Sequence, residues 1–214
     1  MATEKRDEIL DAAYECFAQY GFRRTSMQDV AKAAGISRAA VYLHFKNKED
    51  VFRALSLRVH ERVLAAAEAA GTATEGIEEQ LRAVLSAKLL GHFQLVHRSL
   101  HGRELLDENN RLCGDVSAEY RTRHVGLVAR LLGGAERAGE LRLRGLGLDA
   151  DAAAELIMDC AKGLEDGGAP SADVFRRRVG DLTRVLACGL GAVPATARGG
   201  GTRRRPAKTA RRRG

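Results

Sequence analysis

Apolar residues recur every three or four positions along most of the chain, and glycine, serine and asparagine interrupt them at short intervals. This spacing puts one apolar stripe on each segment when the segment is coiled as an α-helix. The pattern predicts an all-α protein of about nine helices, without a convincing strand. We expect these helices near residues 5–20, 27–34, 37–45, 47–70, 74–96, 104–108, 112–132, 150–165 and 173–188.

Polar residues mark where the second and third helices begin. Ser26 with Asp29, or Thr25 with Gln28, resembles a capping box, in which a hydroxyl and a side chain three residues later satisfy free N–H groups. Ser37 stands at the start of the third helix, and serine is a favoured N-cap residue. The chain therefore enters two short helices in quick succession.

Residues 26–45 predict two short helices joined by a tight turn that contains glycine. That is the helix-turn-helix arrangement, whose second helix enters the major groove of DNA. On a helical wheel of the second helix, Val41 and Phe45 lie together and face the interior. Tyr42 and Leu43 lie on the opposite side, where a solvated helix would carry charged residues.

The outer face of this second helix offers several ways to contact a duplex. Arg38 can make bidentate hydrogen bonds to guanine, and the small side chain of Ala39 allows close approach to the bases. The Tyr42 hydroxyl and the Lys48 ammonium suit phosphate oxygens. Leu43 either packs against a neighbouring helix or presents its apolar surface to the DNA.

The segment TSMQDVAKAAGISRAAVYLHFKNKEDVF closely resembles the N-terminal DNA-binding domain of TetR/AcrR-type transcriptional regulators. The shared elements are the threonine that opens the second helix, the VA..AG.S turn, the Y.HF..KE end of the recognition helix and a leading IL.AA...F...G helix. The resemblance covers about 50 residues, a quarter of the chain. Beyond it, only the helical architecture agrees with the family.

The resemblance implies an all-helical, dimeric and usually repressive protein. A small ligand bound in the C-terminal domain would separate the two recognition helices and release the operator. The expected partners are a double-stranded DNA operator, a second copy of the chain and an unidentified small-molecule effector, without a membrane. Together with the residue chemistry, the resemblance predicts DNA contacts by Thr25, Ser26, Ser37, Arg38, Ala39, Tyr42, Leu43, His44 and Lys48, although His44 also suits a purely structural role.

We expect a helix-turn-helix domain over residues 1–62 and a helical ligand-binding and dimerisation domain over 63–194. The apolar stripes of the last two helices are too wide for packing on one side of a small domain. A four-helix interface with a second subunit would cover them, and packing inside one chain is the alternative. The predicted interface consists of Leu156, Ile157, Cys160, Leu164, Phe175, Leu182, Val185 and Leu186.

The helices between residues 74 and 132 are expected to enclose an apolar pocket for the effector. Their apolar stripe supplies the candidate lining residues. These candidates are Leu89, Phe93, Val96 and Tyr120.

Positive charge is concentrated at the end of the chain. The formal net charge is +7, while residues 195–214 carry eight basic residues and no acidic one, so the rest is close to neutral. A Gly/Arg/Pro segment of this kind is expected to be disordered. It either stays solvated or contacts nucleic-acid phosphates without sequence preference. The second possibility supports an alternative function, non-specific DNA binding or packaging driven by this tail.

Catalytic and cofactor motifs are absent from the sequence. No nucleophile lies in a recognisable nucleophile–base arrangement, and no phosphate-binding loop or zinc-protease signature occurs. We therefore expect a non-enzymatic protein without a cofactor or metal, although the spacing of His97 and His101 would allow a metal pair. The isolated cysteines and the lack of a long apolar run predict a cytoplasmic protein with reduced thiols.

Overall fold

The computed structural model describes residues 2–191, apart from the side chains of residues 2, 3, 92, 94–96 and 98. This part of the chain contains eight α-helices, one short 3-10 helix and no strand, which confirms the all-α prediction. The predicted tail, residues 195–214, lies outside the described residues. The α-helices are α1 (Ala2–Tyr20), α2 (Met27–Ala33), α3 (Arg38–Tyr42), α4 (Lys48–Thr72), α5 (Ile77–Arg98), α6 (Gly102–Arg137), α7 (Ala150–Gly167) and α8 (Ala172–Gly189).

The first three helices and the start of α4 form one packed unit. Phe17 of α1, Phe22 in the following turn and Phe52 of α4 contact one another, with ring centroids 5.1–5.6 Å apart. Val30 of α2 and Val41 of α3 are completely buried in the same core. The short helices α2 and α3 are therefore stabilised by tertiary packing, because isolated helices of this length are unstable in water.

Glycine is required at two turns of this unit. Gly21 has a φ of +82°, and a Cβ atom there would lie 2.4 Å from a carboxylate oxygen of Glu104 in α6. Gly35, between α2 and α3, has a φ of +65°. L-residues with a side chain rarely adopt this left-handed conformation. The two glycines thus fix the angle between α1 and α2 and the helix-turn-helix turn.

Helix α4 continues from the N-terminal unit into the rest of the protein without a break. Its 25 residues pass through position 62, where the sequence analysis placed a domain boundary. Arg53 of α4 binds Asp115 of α6 through two guanidinium nitrogens, at 2.8 and 2.7 Å. The guanidinium holds the pKa of the Asp115 carboxyl at about 2. Helix α4 therefore connects the two predicted domains directly.

Helix α6 replaces two of the predicted helices. The sequence pattern predicted a short element near 104–108 and a separate helix over 112–132, whereas α6 runs through both as 36 residues. Non-helical dihedral angles at Cys113, with φ −131° and ψ 22°, kink α6 near the start of the second predicted segment. Arg53 also donates a hydrogen bond to the Leu112 carbonyl, beside this kink. The two predicted helices are therefore one helix with a bend.

The last two helices, α7 and α8, pack against α6 and α5. The ring of Phe175 on α8 stacks on Phe93 of α5 with centroids 4.7 Å apart, and Ile157 of α7 is 1% exposed. Phe175 and Ile157 therefore belong to the core of the single chain, which corrects their assignment to a dimer interface. The predicted interface residues that remain exposed to solvent include Leu156, at 53%, and Val185, at 69%.

Cys160 is also exposed, whereas Leu164, Leu182 and Leu186 are half-buried. Leu164 and Leu186 pack against the edge of the core. The wide stripe of α7 and α8 is thus divided between an inner face, which is covered by the chain itself, and an outer apolar face. We call the outer face, formed by Leu156, Cys160, Leu182 and Val185, the α7/α8 face.

Within residues 2–191, no helix combines the length and the apolar character needed to cross a membrane.

Candidate functional site

Helix α3 presents a compact surface to solvent. Arg38 and Ala39 are exposed, Tyr42 is 43% exposed and Leu43 is 84% exposed. On the opposite side, Val41 is completely buried and holds the helix on the core. The structure thus removes one alternative for Leu43, because this side chain does not pack against a neighbouring helix.

The end of α3 differs slightly from the sequence-based prediction. The helix was expected to reach Phe45, whereas it ends at Tyr42 with Leu43 as the C-cap residue. The amides of His44 and Phe45 still donate to the Val41 carbonyl, both at 3.0 Å. This turn keeps Phe45 in the core and leaves His44 half-buried at the edge of the α3 surface.

Arg38 and Tyr42 are arranged as a pair on the surface of α3. The guanidinium donates to the Tyr42 hydroxyl at 3.2 Å, and its central carbon lies 5.4 Å from the centroid of the phenol ring. Ser37 caps the helix by accepting a hydrogen bond from the Ala40 amide at 3.1 Å. The pair therefore stands on a capped helix and extends a donor-rich side chain into solvent.

Ser26 and Thr25, both predicted to contact DNA, lie in different environments. Ser26 is exposed and forms the capping box with Asp29, with the hydroxyl 2.7 Å from a carboxylate oxygen. Thr25 is 2% exposed, and its hydroxyl donates to the Gly21 carbonyl at 2.7 Å. The side chain of Thr25 therefore joins α1 to α2 inside the protein, which corrects its assignment as a side-chain contact to DNA.

Lys48 also has a structural role that the sequence did not indicate. Its ammonium donates to the carbonyls of Phe22, Arg23 and Thr25 at 2.7, 3.3 and 2.8 Å. An ammonium has three N–H donors, so these contacts occupy all of them. The positive charge stands at the first position of α4, where the helix dipole opposes it. The structure therefore assigns Lys48 to the turn between α1 and α2 instead of to a phosphate.

We predict that Lys48→Met lowers the free energy of unfolding by about 1–2 kcal/mol, because three main-chain carbonyls lose a charged donor. Methionine keeps an apolar side chain of similar length over the Phe22 ring, which lies 4.4 Å from the ammonium. Urea unfolding followed by circular dichroism measures the change. Lys46→Met is the matched control, since Lys46 is exposed, and an equal loss of stability in both variants would contradict the structural role of Lys48.

Lys46 is a candidate phosphate contact that the sequence analysis missed. Its side chain is exposed in the turn that follows α3, and its amide donates to Asp50 at 3.1 Å. The signal was present in the sequence, as a lysine two positions before Lys48. Only the contacts of the two side chains show which of them remains available to a ligand.

A cavity of about 450 Å³ adjoins the N-terminal unit. Residues of α1, α4, α5, α6 and α7 line it, and apolar side chains such as Phe17, Leu55 and Leu105 form much of its wall. Volumes of about 300–1,000 Å³ are usual for small-molecule sites in proteins. The cavity can therefore hold a compound of moderate size.

Some of the residues predicted to contact the effector lie in the wall of this cavity, and others do not. Tyr120 lines the cavity, and its role in binding stays a prediction. Leu89 is completely buried, and Phe93 stacks between His97 and Phe175, so the structure places both in the core around α5 and α8 instead of in the cavity wall. The side chain of Val96 lies outside the described residues.

The first turns of α6 contact both the cavity and the N-terminal unit. Leu105, Leu106 and Asn109 line the cavity. On the opposite side of the same helix, a Glu104 oxygen accepts a hydrogen bond from the Arg23 amide at 2.9 Å. A displacement of this segment toward or away from the cavity would therefore act on the turn between α1 and α2.

Glu108 strengthens the contact between α6 and that turn. Its carboxylate is 4% exposed and accepts hydrogen bonds from Arg23 at 3.2 Å and from Arg111 at 2.7 Å. Burial opposes ionisation of this carboxyl, but the hydrogen bonds from Arg111 and Arg23 outweigh burial and lower its pKa. We call Glu104, Glu108 and Arg23 the α6 joint.

The histidine pair considered as a metal site is not assembled as one. His97 Nδ1 lies 2.9 Å from the Phe93 carbonyl, and His101 Nδ1 lies 3.3 Å from a Glu104 oxygen. Over residues 2–191, no group of three or more histidine, cysteine or acidic side chains comes close enough together to hold a metal ion.

Comparisons with known proteins agree with this arrangement. Residues 9–55 match the family model described as bacterial regulatory proteins, tetR family. Over 51 residues, the chain is 51% identical to the HTH-type transcriptional regulator AcrR of Shigella flexneri, which covers 24% of each protein. Over 83 residues, it is 36% identical to the HTH-type transcriptional repressor AcnR of Corynebacterium glutamicum, covering 39% of this chain and 42% of that one. The chain thus matches less than half the length of these relatives.

Solved structures extend the similarity to the whole fold. SmeT, the repressor of the Stenotrophomonas maltophilia multidrug efflux pump SmeDEF, superimposes with a TM-score of 0.63 at 25% identity, covering 95% of this chain and 97% of SmeT. A SmeT–triclosan complex superimposes with the same TM-score of 0.63 at 24% identity, covering 96% of this chain and all of that one. Residues 9–55 thus match the DNA-binding domain of the tetR family of bacterial regulatory proteins, and the fold of the chain is similar to that of SmeT.

Proposed function

We propose that this protein is a homodimeric transcriptional repressor that binds a palindromic operator through α2 and α3 and is released by a small molecule. The exposed surface of α3 carries the proposal. It combines the Arg38–Tyr42 pair, the small Ala39 and the 84% exposed Leu43 on a helix whose other side is fully packed. A long donor, a small residue and an apolar side chain suit the edges of base pairs better than they suit water.

The α7/α8 face supports the dimer. Leu156 and Val185 leave 53% and 69% of their surfaces exposed, on two helices whose other faces are buried. An apolar face of this kind is stabilised when a second copy covers it, and a two-fold axis would bring four helices together. A dimer also supplies two recognition helices, which can read half-sites about 34–36 Å apart in successive major grooves.

The cavity and the α6 joint support a response to a ligand. The SmeT complex shows that a protein with this fold binds triclosan, and we extend small-molecule binding, without the identity of the molecule, to this chain. A ligand changes operator binding only when it favours one conformation over the other. Here the same turns of α6 line the cavity and hold Arg23, so a ligand that shifts them would also shift the helix-turn-helix unit.

We predict that Glu108→Ala weakens the coupling between effector and operator while the effector still binds. Two guanidinium groups lose their shared carboxylate, so movement of α6 is transmitted less directly to Arg23. Coupling factors of about 5–150 are typical, and we expect the factor to fall by about tenfold. Operator affinity, measured with and without an effector obtained by screening for release, gives the factor.

Asp107→Ala is the matched control, since Asp107 is an exposed acid on the same turn of α6. An unchanged coupling factor in Glu108→Ala would show that the α6 joint does not transmit the signal.

Footprinting tests the function as a whole. The full chain and a chain ending at residue 194 should protect the same palindrome, whereas the double variant Arg38→Ala, Tyr42→Ala should lose that protection. Tail contacts would appear as a steeper dependence of affinity on salt, without a change of site. If removal of the tail abolished protection while the double variant kept it, non-specific binding through the tail would be the better account.

A further inference from the structure

His124 of α6 lies in the cavity wall and is 2% exposed. Its Nδ1 is 2.7 Å from the Tyr120 carbonyl, and because a carbonyl oxygen only accepts hydrogen bonds, Nδ1 carries a proton. The Nε2 atom is buried and has no hydrogen-bond partner. Among the described residues, Arg58 Nε is the other buried side-chain nitrogen or oxygen without a hydrogen-bond partner. Arg58 does not line the cavity.

The surroundings of the His124 imidazole favour its uncharged form. Burial lowers its pKa most, and the nearby Lys88 and Arg123 lower it further, against opposing effects of the Tyr120 carbonyl and Glu165. A neutral imidazole with its proton on Nδ1 has a lone pair on Nε2. Since Nε2 is shielded from solvent, water does not satisfy this acceptor, and a buried acceptor without a donor is unfavourable. A ligand that brings a donor therefore gains a hydrogen bond that the empty chain lacks.

The charged residues of the cavity wall are already paired. Lys88 Nζ lies 2.8 Å from a Glu165 oxygen, and both side chains are largely buried. Arg121 and Lys162 form ion pairs with carboxylates outside the cavity lining, at 2.7 and 2.6 Å. A charged ligand would lose its hydration without finding an unpaired counter-charge. The pairing therefore favours an uncharged ligand.

Several other polar groups of the wall bond to one another. Ser56 donates to Asn109 at 2.7 Å, and Asn109 donates to Ser117 at 3.2 Å. The Ser117 hydroxyl lies 3.4 Å from His60 Nε2. These groups form a chain of hydrogen bonds, so they already have partners when no ligand is bound. Among the fully buried side-chain nitrogen and oxygen atoms of the cavity wall, His124 Nε2 is the one without a hydrogen-bond partner.

We infer that the cavity binds an uncharged, mainly apolar compound with one hydroxyl or N–H group, which donates a hydrogen bond to His124 Nε2. The inference rests on the proposed function, because it defines the chemical class of the effector. The apolar wall around Phe17 and Leu55 takes the body of the compound, within a volume of about 450 Å³. His124 Nε2 is covered in the empty chain, so binding requires a neighbouring side chain to move, and Met158 supplies a flexible side chain in the cavity wall.

A pair of probes that differ in the donor tests this inference. β-Naphthol has a hydroxyl donor, its methyl ether does not, and both fluoresce, so binding to the full chain can be followed by emission. We expect the naphthol to bind about ten times more tightly than the ether, which corresponds to one buried hydrogen bond. This comparison uses the unaltered protein and does not depend on whether a variant folds.

His124→Phe removes the acceptor and keeps an aromatic ring of similar size. In this variant the two probes should bind with affinities equal within about twofold, mainly through weaker binding of the naphthol. His60→Phe is the matched control, because His60 also lines the cavity but its Nε2 faces Ser117, so the tenfold preference should persist. Thermal unfolding of both variants checks that they remain folded.

Equal binding of the two probes to the unaltered chain, or an unchanged preference in His124→Phe, would overturn the inference. So would a failure of both probes to bind. Release of operator DNA, measured in the same samples, tests the proposed function separately. Tighter binding of the naphthol without release of DNA would support the role of His124 and contradict the proposed response to a ligand. Equal release of DNA by both probes would support the response to a ligand and contradict the role of His124.

Discussion

Replacing Val185 by aspartate should convert the proposed homodimer into a monomer and lower operator affinity by more than about a hundredfold. Val185 is 69% exposed on the α7/α8 face, and a carboxylate there would be buried among apolar side chains in the proposed dimer. Leaving one uncompensated charge in an interface costs about 3–5 kcal/mol. Because the site is already exposed in the single chain, the fold of the monomer should survive. Sedimentation velocity and operator titration measure the two effects.

Leu100→Asp provides the comparison for this substitution. Leu100 is 97% exposed between α5 and α6 and is not part of the α7/α8 face, so the same change should leave both the proposed dimer and operator affinity intact. A Val185→Asp protein that still sedimented as a dimer would place the interface elsewhere on the molecule.

Replacing Arg38 by alanine should lower affinity for the operator by about ten- to a hundredfold and relax the base preference at one position of each half-site. A bidentate contact between arginine and guanine contributes about 1–3 kcal/mol to discrimination. Arg38 is exposed and donates a hydrogen bond of 3.2 Å to the Tyr42 hydroxyl, so its guanidinium lies on the surface that would face the DNA. Competition binding with operators changed one base pair at a time identifies the position that loses its preference.

Arg62→Ala removes the same charge from an exposed position farther along α4 and should change neither affinity nor preference by more than about twofold. If Arg38→Ala weakened binding to every sequence equally, Arg38 would contact phosphate, and base reading would have to come from other residues of α3.

Local signals were sufficient to predict the helix-turn-helix region. Ser26 and Ser37 cap α2 and α3 as their positions in the sequence suggested, and Val41 and Phe45 face the core. These features depend on residues three or four positions apart, which a sequence pattern contains. The role of Lys48 could not be predicted in this way, because the carbonyls that it binds are 23–26 residues earlier in the chain.

Apolar periodicity alone did not separate core, cavity and exposed face. Leu156 and Ile157 are neighbours in one wide stripe, yet one is 53% exposed and the other 1%. Phe93 and Tyr120 are both buried aromatic residues, and only Tyr120 lines the cavity. The difference depends on how α5, α7 and α8 cross, which the pattern of a single helix does not contain. His124 was missed as a cavity residue for the same reason.

Selection of bound sequences from a random DNA pool tests the central claim most directly. The chain ending at residue 194, without the basic tail, should enrich one palindrome whose half-sites lie one helical turn apart. The same selection with Arg38→Ala should return a site that has lost its preference at one position in each half. Enrichment of no sequence by the tail-less chain, with retention of DNA by the full chain alone, would contradict sequence-specific recognition by α3.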